Sequence, residues 1–329
     1  LYLDLHVTDG ADYQYDVTFG WNHPPAAWSP AIGAWLDSVY RPAVSEALRA
    51  QGHVPGDLVF TADPYDWRKG IFRFTAPPRF SNGYGDARHL PTVLVENHSL
   101  KDFRRRVLGT RVFLESVLRL VAAQGTELRE AVRRDRARRD GEIPWGWVAP
   151  EPARAVWKDF AGVRSVIEFS PIIGDSVVRW TGEPGTLDLP FFQPTEAAGM
   201  LRRPVAFWVP AAWPEVIERL RLHGLRLEIL DAPRTLELTV DRLSEVELAE
   251  ETYEGHVRVR AELSPERRVL TLAPGSARVP TDQPLGTLAV LLLDGRSPDS
   301  FFQWGFFPEC LQRAEYFESY VMEPMARRM

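Results

Sequence analysis

The chain has 329 residues, of which 45% are hydrophobic and 26% charged, and it carries a net charge of −6. This composition is typical of a globular protein that is long enough for two domains. The negative balance argues against a nucleic-acid backbone as the main partner, and no stretch approaches the ~20 apolar residues that a membrane span needs. A single cysteine, Cys310, excludes an internal disulfide and leaves the cellular compartment open.

The first part of the chain is predicted to alternate between strands and helices. The predicted elements are a strand at 1–6, a loop at 11–28, a helix at 35–48 that is kinked or broken at Pro42, and strands at 57–61 and 70–75. A loop at 77–88 then leads to a buried strand at 91–95 and to a helix that begins at Ser99 and ends at Gly125. Alternation of this kind indicates an α/β layer structure.

The charged run 133–140 is predicted to be a solvated helix end and a domain boundary, which divides the chain into residues 1–140 and 141–329. The second part is punctuated by glycine and proline, as expected for an antiparallel sandwich or a similar β-rich domain. Its predicted strands are 163–169, 205–209, 225–230, 235–240, 257–263 and 268–272, and its predicted helices are 213–222 and 309–323.

Two strand ends carry the residues with the clearest chemical potential. The strand Pro91–Val95 is followed by Glu96, and the first strand ends at His6. Ligands of open α/β sheets usually bind at the carboxyl ends of strands, so an imidazole and a carboxylate there indicate a metal ligand and a general base for metal-assisted hydrolysis. The residues alone leave two other interpretations open, a structural histidine and a glutamate that caps the following helix or pairs with Arg104.

The same segments resemble the zinc carboxypeptidases of the M14 class. Asp4-Leu5-His6-Val7-Thr8-Asp9-Gly10, with Tyr13 and Tyr15, resembles the segment that bears the third zinc ligand of that family. Thr92-Val93-Leu94-Val95-Glu96 is similar to its strand with the catalytic glutamate, and the order along the chain agrees. The resemblance covers residues 1–125. It implies a mixed-sheet, phosphorylase/hydrolase-like domain with zinc as cofactor, His6 as a metal ligand and Glu96 as the catalytic base.

The carboxy-terminal part also resembles an extension found in some bacterial proteins of that class. The matching segments are Gly275-Ser276, Val279-Pro280, Asp299-Ser300 and Trp304-Gly305-Phe306-Phe307. This resemblance supports the assignment to the M14 class but implies no catalytic or binding residue.

The chain departs from the family at its start. The family binds zinc through a His-x-x-Glu pair upstream of the third ligand, and the sequence contains no such pair. The chain opens with Leu1 inside what is predicted to be a central strand, which would leave backbone groups unpaired. We therefore expect the sequence to be the carboxy-terminal, amino-terminally truncated part of a longer protein, and to be inactive by itself.

Three residues near the loop 77–88 are further candidates. The family uses a mobile tyrosine before the glutamate strand, and Tyr84 lies in a glycine-flanked segment there, although it is closer to Glu96 than the family pattern implies. Arg79 and Arg88 flank the same loop and are candidates for binding a substrate carboxylate bidentately. Arginines beside an acidic crevice are also commonly structural.

Two classes of function follow. One is a zinc-dependent peptidase of the carboxypeptidase type, or a related amidase, that acts on a peptide or on a small amide. The other is a non-catalytic module on a degenerate peptidase scaffold that binds a peptide or a carbohydrate, for which Trp145, Trp147, Trp157 and Trp180 offer stacking surfaces or buried core.

Overall fold

The computed structural model describes residues 1–63, 66–311 and 318–328. Its α/β part is built around a mixed sheet of four strands in the order β1-β6-β2-β3. The strands are β1 (Tyr2–Val7), β2 (Val17–Gly20), β3 (Pro55–Asp57) and β6 (Thr92–Asn97). The pairs β1–β6 and β2–β3 are parallel, whereas β2 runs antiparallel to β6. The predicted strands that end at His6 and Glu96 are confirmed, while β2 lies in a segment predicted to be a loop.

Helices pack on one face of this sheet. They are α1 (Pro30–Trp35), which continues through a π-helical turn (Leu36–Tyr40) into α2 (Arg41–Ala50), and α4 (Phe103–Ala137). Phe19, Val95 and Phe113 are among the buried residues of their common core. The helix predicted at 35–48 is confirmed and begins earlier, at Pro30. Pro42 does not end it, because the π-helical turn just before this proline carries the helix on into α2.

The long helix α4 differs from the prediction at both ends. It begins at Phe103, since the carboxylate of Asp102 accepts the backbone N–H of Arg105 at 3.0 Å and caps it. Gly125 does not end it. Only Gln124 leaves helical geometry, with φ −122°. The helix continues to Ala137 because its last turns still bury Leu128 against the core.

The second part of the chain is β-rich, as predicted, but its described strands do not form the expected sandwich. They form long hairpins and small sheets, in the orders β4-β5-β9-β8, β10-β7, β11-β15-β12 and β13-β14. Both faces of the longest hairpin, β13–β14, are largely exposed, so among the described strands there is no second sheet for it to pack against. The strands are β4 (Phe60–Thr61), β5 (Ile71–Phe72), β7 (Glu142–Val148), β8 (Ala155–Ser170), β9 (Asp175–Phe192), β10 (Glu196–Arg202), β11 (Ala206–Val209), β12 (Glu228–Ile229), β13 (Arg234–Tyr253), β14 (His256–Leu272) and β15 (Ala277–Pro280).

Four further helices lie among the described residues: α3 (Ser81–Ala87), α5 (Pro214–Leu222), α6 (Gly286–Leu293) and α7 (Ser319–Ala326). The prediction of α5 is confirmed, and α3 replaces most of the loop predicted at 77–88. The helix predicted at 309–323 falls partly outside the described residues; within them, Pro308–Leu311 is a 3₁₀ turn. None of the described helices combines the length and the apolar character that crossing a membrane needs.

The two parts of the chain share a sheet and a core. Strand β5 of the first part pairs in parallel with β9 of the second, with Ile71 opposite Phe191. Trp28 and Ala87 are buried in the same cluster as Ile143 and residues of α5 and α6. A division at residue 140 therefore stays a prediction, and the contacts across it hold the second part against the sheet that carries Glu96.

Candidate active site

The structure brings His6 and Glu96 together. Strands β1 and β6 are parallel neighbours, and His6 lies directly opposite Glu96 in their register. Residues at equivalent positions of neighbouring strands point to the same face of a sheet. The imidazole and the carboxylate therefore stand side by side, on the face opposite the helical core.

His6 has an acidic partner on its own strand. Its Nε2 lies 3.1 Å from Oδ1 of Asp4, two residues back and on the same face. The side chain of His6 is half-exposed, with 51% of its surface accessible. A carboxylate beside an imidazole fixes the orientation and tautomer of the ring, so Asp4 acts as the orienting partner, a role for which Asp4 and Asp9 are equally placed in the sequence.

Glu96 is held in an environment that disfavours its charge. Burial raises its pKa from the ordinary 4.5 to about 7; the nearby His6 opposes this rise, and Asp9 and Asp4 add to it. The Oε2 atom is buried and has no hydrogen-bond partner among the described residues. A carboxyl group with a pKa near neutrality is suited to take up and release a proton at physiological pH.

The two structural interpretations of Glu96 are not supported. Asp102 caps α4, so Glu96 does not. Within the described residues, no ion pair joins Glu96 to Arg104 or to another arginine. Neither role therefore explains a half-buried carboxylate at this position.

Sequence reasoning missed two hydroxyl groups next to Glu96. Thr18 of β2 lies opposite Glu96 on the side away from His6. The Tyr13 hydroxyl lies 3.5 Å from Oγ1 of Thr18, and burial raises the pKa of Tyr13 to about 12, with the charge of Glu96 adding to the rise. In the sequence Tyr13 is marked only as part of a motif, and no local pattern marks Thr18, because its position depends on the pairing of β2 with β6.

A buried histidine holds the loop that carries Tyr13. His98 is fully buried, and its Nε2 lies 2.8 Å from Oδ1 of Asp12. Its ring packs 4.5 Å from the ring of Tyr13, centroid to centroid. Burial lowers the pKa of His98, so it is neutral near pH 7 and serves to anchor this loop beside Glu96.

The hairpin β8–β9 covers the same loop from the outside. The backbone N–H of Gln14 donates to the carbonyl of Ala161 at 2.8 Å, and the indole Nε1 of Trp180 donates to the carbonyl of Gly10 at 2.9 Å. The β-rich part thus holds the loop that carries Tyr13.

The three residues predicted near the loop 77–88 make other contacts. The Tyr84 hydroxyl lies 2.8 Å from Nδ1 of His223 and accepts from Nη1 of Arg88 at 3.2 Å. The guanidinium of Arg79 lies over the ring of Tyr253, 5.0 Å from its centroid. Among the described residues no contact joins these three side chains to His6 or Glu96. Their catalytic and substrate-binding roles stay predictions.

The described residues do not complete a zinc site. They contain no group of three or more histidine, cysteine, aspartate or glutamate side chains arranged to hold a metal ion. His6 with Asp4 is at most one ligand and its orienting carboxylate, whereas zinc sites in enzymes usually have three protein ligands.

The chain is similar to several fungal carboxypeptidases over about a third of its length. Carboxypeptidase 2 of Trichophyton rubrum is 30% identical over 122 residues, which are 37% of this chain and 23% of that protein. Carboxypeptidase 2 of Trichophyton tonsurans is 29% identical over 122 residues, with the same shares of the two chains. A probable carboxypeptidase 2 of Arthroderma benhamiae is 28% identical over 113 residues, 34% of this chain and 22% of that protein.

The matched part therefore spans less than a quarter of the length of these curated relatives. No protein-family model and no solved structure matches the chain. The similarity supports a carboxypeptidase-like relationship for part of the chain, within a mixed α/β fold that has a β-rich region. It does not bear on the resemblance of the carboxy-terminal segment to a bacterial extension.

Proposed function

We propose that this chain contributes the general base and one metal ligand of a zinc-dependent carboxypeptidase-type hydrolase of the M14 class. Glu96 is the base and His6 the ligand. The observation that carries the proposal is the register of β1 and β6, which sets an imidazole directly beside a carboxylate whose pKa is raised to about 7. The similarity to fungal carboxypeptidases supports the same class.

Glu96 has the properties that amide hydrolysis requires of a base. In its ionised form it would accept a proton from the water that attacks the scissile carbonyl. In its protonated form it would donate that proton to the departing amine nitrogen as the C–N bond breaks. A pKa of about 7 leaves both forms populated near neutral pH.

The residues around Glu96 would exclude water and hold the loop in place. Tyr13 and Thr18 are buried beside it, at 5% and 2% exposure. The hairpin β8–β9 contacts the 9–15 loop through Gln14 and Trp180, and β1 is the edge strand of the sheet.

Zinc binding by this site needs ligands beyond the described residues, since His6 and Asp4 do not form a metal centre by themselves. The proton transfers at Glu96 are the part of the reaction for which the described residues account. Within the proposal, zinc would act as a Lewis acid at the scissile carbonyl, and His6 would be one of its ligands.

The substrate would be a peptide with a free carboxyl terminus, or a small acyl-amino acid. Arg79 and Arg88 remain proposed carboxylate-binding residues, and Tyr84 a proposed catalytic residue, although each is engaged elsewhere in this conformation. The domains 1–140 and 141–329, with the second as an accessory domain, belong to the same proposal.

The metal-dependent part is tested with the full-length natural gene product. The substrates are a dipeptide blocked at its amino terminus and an N-acyl-amino acid, both with a free carboxyl group. Hydrolysis of each by the wild type and by His6→Gln is measured before chelation, after chelation and after zinc is restored. His256→Gln, at the turn of the hairpin β13–β14, is the matched control. The proposal expects activity that zinc restores, that His6→Gln reduces at least about tenfold, and that His256→Gln leaves intact. Activity that chelation does not change, or a fully active His6→Gln enzyme, would contradict it.

A further inference from the structure

A groove lined by aromatic rings lies at the junction of the two parts of the chain. Two cavities form it, of about 500 Å³ and about 210 Å³, and Thr75 and Trp147 line both of them. The other large side chains are Phe72, Phe74, Phe192 and Pro194 in the larger cavity, and Trp28, Pro77, Trp145 and Pro298 in the smaller one. Because Trp147 borders both cavities, we call this surface the Trp147 groove.

The Trp147 groove is separate from the His6–Glu96 pair. Ile71 packs in the cluster that contains Tyr13, whereas the next residue, Phe72, lines the groove. Successive residues of a strand point to opposite faces of its sheet. The sheet of β5 and β9 therefore stands between the groove and the loop that carries Tyr13.

The charge of the groove is negative. Arg73 lines the larger cavity, but its guanidinium group lies over the ring of Phe191, 5.4 Å from the centroid, and donates to Asp57. Phe191 belongs to the buried cluster on the opposite face of the sheet, so this cation is turned away from the groove. Glu151 lines the larger cavity and is exposed. Among the described lining residues it is the one charged group that a ligand in the groove can meet.

The hydrogen-bonding capacity of the groove favours a ligand that is rich in acceptors. Trp145 and Trp147 are partly exposed, and their indole N–H groups donate to no partner among the described residues. An indole donates and does not accept. Thr75 and Glu151 are the described lining residues whose side chains accept. A sugar, whose many hydroxyl groups donate as well as accept, would leave donors unpaired in such a groove.

The ring of Trp145 is held in place by a glycine of the neighbouring strand. A Cβ atom at Gly199 of β10 would lie 2.2 Å from this ring, so the indole lies directly against the backbone of β10. Glycine within a strand often marks such a close approach. The ring is therefore positioned before a ligand arrives, which lowers the entropic cost of binding.

A proline-rich segment has the properties that this surface selects. Proline offers a backbone carbonyl and no N–H group. In the polyproline II conformation the carbonyls make no internal hydrogen bonds, so they are free to accept from indole N–H groups. Aromatic-lined grooves are the surfaces on which such segments dock.

We infer that the Trp147 groove binds a proline-rich segment of a partner protein in the polyproline II conformation. Its prolines would pack against the aromatic rings, its carbonyls would accept from Trp145 and Trp147, and a basic residue would lie at Glu151. The inference does not depend on the proposed hydrolase chemistry, because none of these described residues contacts His6 or Glu96.

Three synthetic peptides, each blocked at both ends, test the inference: octaproline followed by arginine, octaproline alone, and a Gly-Ser repeat of the same length followed by arginine. Binding to the full-length protein is measured by calorimetry. We expect saturable one-site binding of the octaproline–arginine peptide. Octaproline alone should bind more weakly, and the flexible Gly-Ser peptide at least about tenfold more weakly, because it must be ordered on binding.

Variants of the groove assign the binding to its residues. Trp147→Ala removes the ring that borders both cavities and should abolish binding. Trp145→Phe and Trp147→Phe each keep a ring and remove one N–H donor, so each should weaken binding about threefold to tenfold. These conservative changes keep the test decisive if Trp147→Ala does not fold. Trp208→Phe, on β11 and outside the groove, is the matched control and should bind like the wild type.

The charged contact is tested by Glu151→Gln. This variant should weaken the octaproline–arginine peptide up to about fivefold, as expected for an exposed ion pair. It should leave the binding of octaproline alone unchanged.

Three results would overturn the inference. The first is the absence of saturable binding of the octaproline–arginine peptide up to ~1 mM. The second is a Gly-Ser peptide that binds as tightly. The third is binding that Trp145→Phe, Trp147→Phe and Glu151→Gln all leave unchanged. Saturable binding of cellobiose, with none of the octaproline–arginine peptide, would assign the groove to carbohydrate instead.

Discussion

Replacement of Glu96 by glutamine tests whether the site disfavours the charge of this residue. Burial raises the pKa of Glu96 from 4.5 to about 7. Between these pH values the folded protein binds more protons than the unfolded chain, so the free energy of unfolding falls as the pH rises through this window. The contribution of Glu96 is fully present below pH ~4.5 and is lost above pH ~7.

The expected size of this effect follows from the same pKa. A rise from 4.5 to about 7 corresponds to at most about 3 kcal/mol. Since the group is only half-buried and solvent screens it, about 1–2 kcal/mol is the realistic loss. Glutamine cannot ionise. The Glu96→Gln variant should therefore be about as stable as the wild type at pH 4.5 and more stable by about 1–2 kcal/mol at pH 8.

Urea unfolding, followed by tryptophan fluorescence between pH 4.5 and pH 8.5, measures this difference. Glu46→Gln, at an exposed position on α2, is the matched control and should follow the wild type at every pH. A Glu96→Gln variant that is equal to the wild type at pH 8, or less stable, would refute the assigned environment of this carboxylate.

Three other substitutions probe the frame of the site, each by urea unfolding. Asp135→Ala removes the carboxylate that accepts the two N–H groups at the start of α1. It should lower the free energy of unfolding by about 1–2 kcal/mol. An unchanged urea midpoint would show that this cap does not stabilise the fold. Burial opposes the ionisation of Asp16, but the Arg105 hydrogen bonds hold its pKa below the ordinary value. Arg105→Met should lower the free energy of unfolding by about 2–3 kcal/mol near pH 7. The loss should become smaller as the pH falls through the pKa of Asp16, because the carboxylate is then protonated. An equal loss at low pH would contradict a stabilising ion pair. Gly83→Ala would press a methyl group onto the backbone carbonyls before α3 and should cost more than about 3 kcal/mol, whereas Gly141→Ala meets no atom within 4 Å and should be near neutral.

The centre of the fold was predictable because local sequence marks it. The apolar runs that end at His6 and Glu96 become β1 and β6, whereas their parallel pairing is a finding of the structure. Strand β2 was not predictable. Val17–Gly20 lies among tyrosines and prolines that resemble a loop, and only its pairing with β6 makes it a strand. Helix α6 is apolar on all sides, so it lacks the period that identifies an amphipathic helix.

The candidate site, like the fold, was predictable only where local sequence marks it. The pair His6 and Glu96 follows from strand ends, whereas Tyr13 and Thr18 approach Glu96 only through long-range pairing. The catalytic role of Tyr84, suggested by its position before the glutamate strand, stays a prediction. Helix α3 directs that residue toward His223.

The proposed role of Glu96 is tested most directly by the rate at which the full-length natural protein releases a carboxy-terminal amino acid from a peptide. This rate is compared between the wild type and Glu96→Gln, with circular dichroism to verify the fold. General acid–base catalysis typically contributes ~10²–10⁴-fold, so the account predicts a loss of at least about 10²-fold with an unchanged spectrum. A folded Glu96→Gln protein that keeps the wild-type rate would contradict the account and leave the pair His6–Glu96 without a catalytic role.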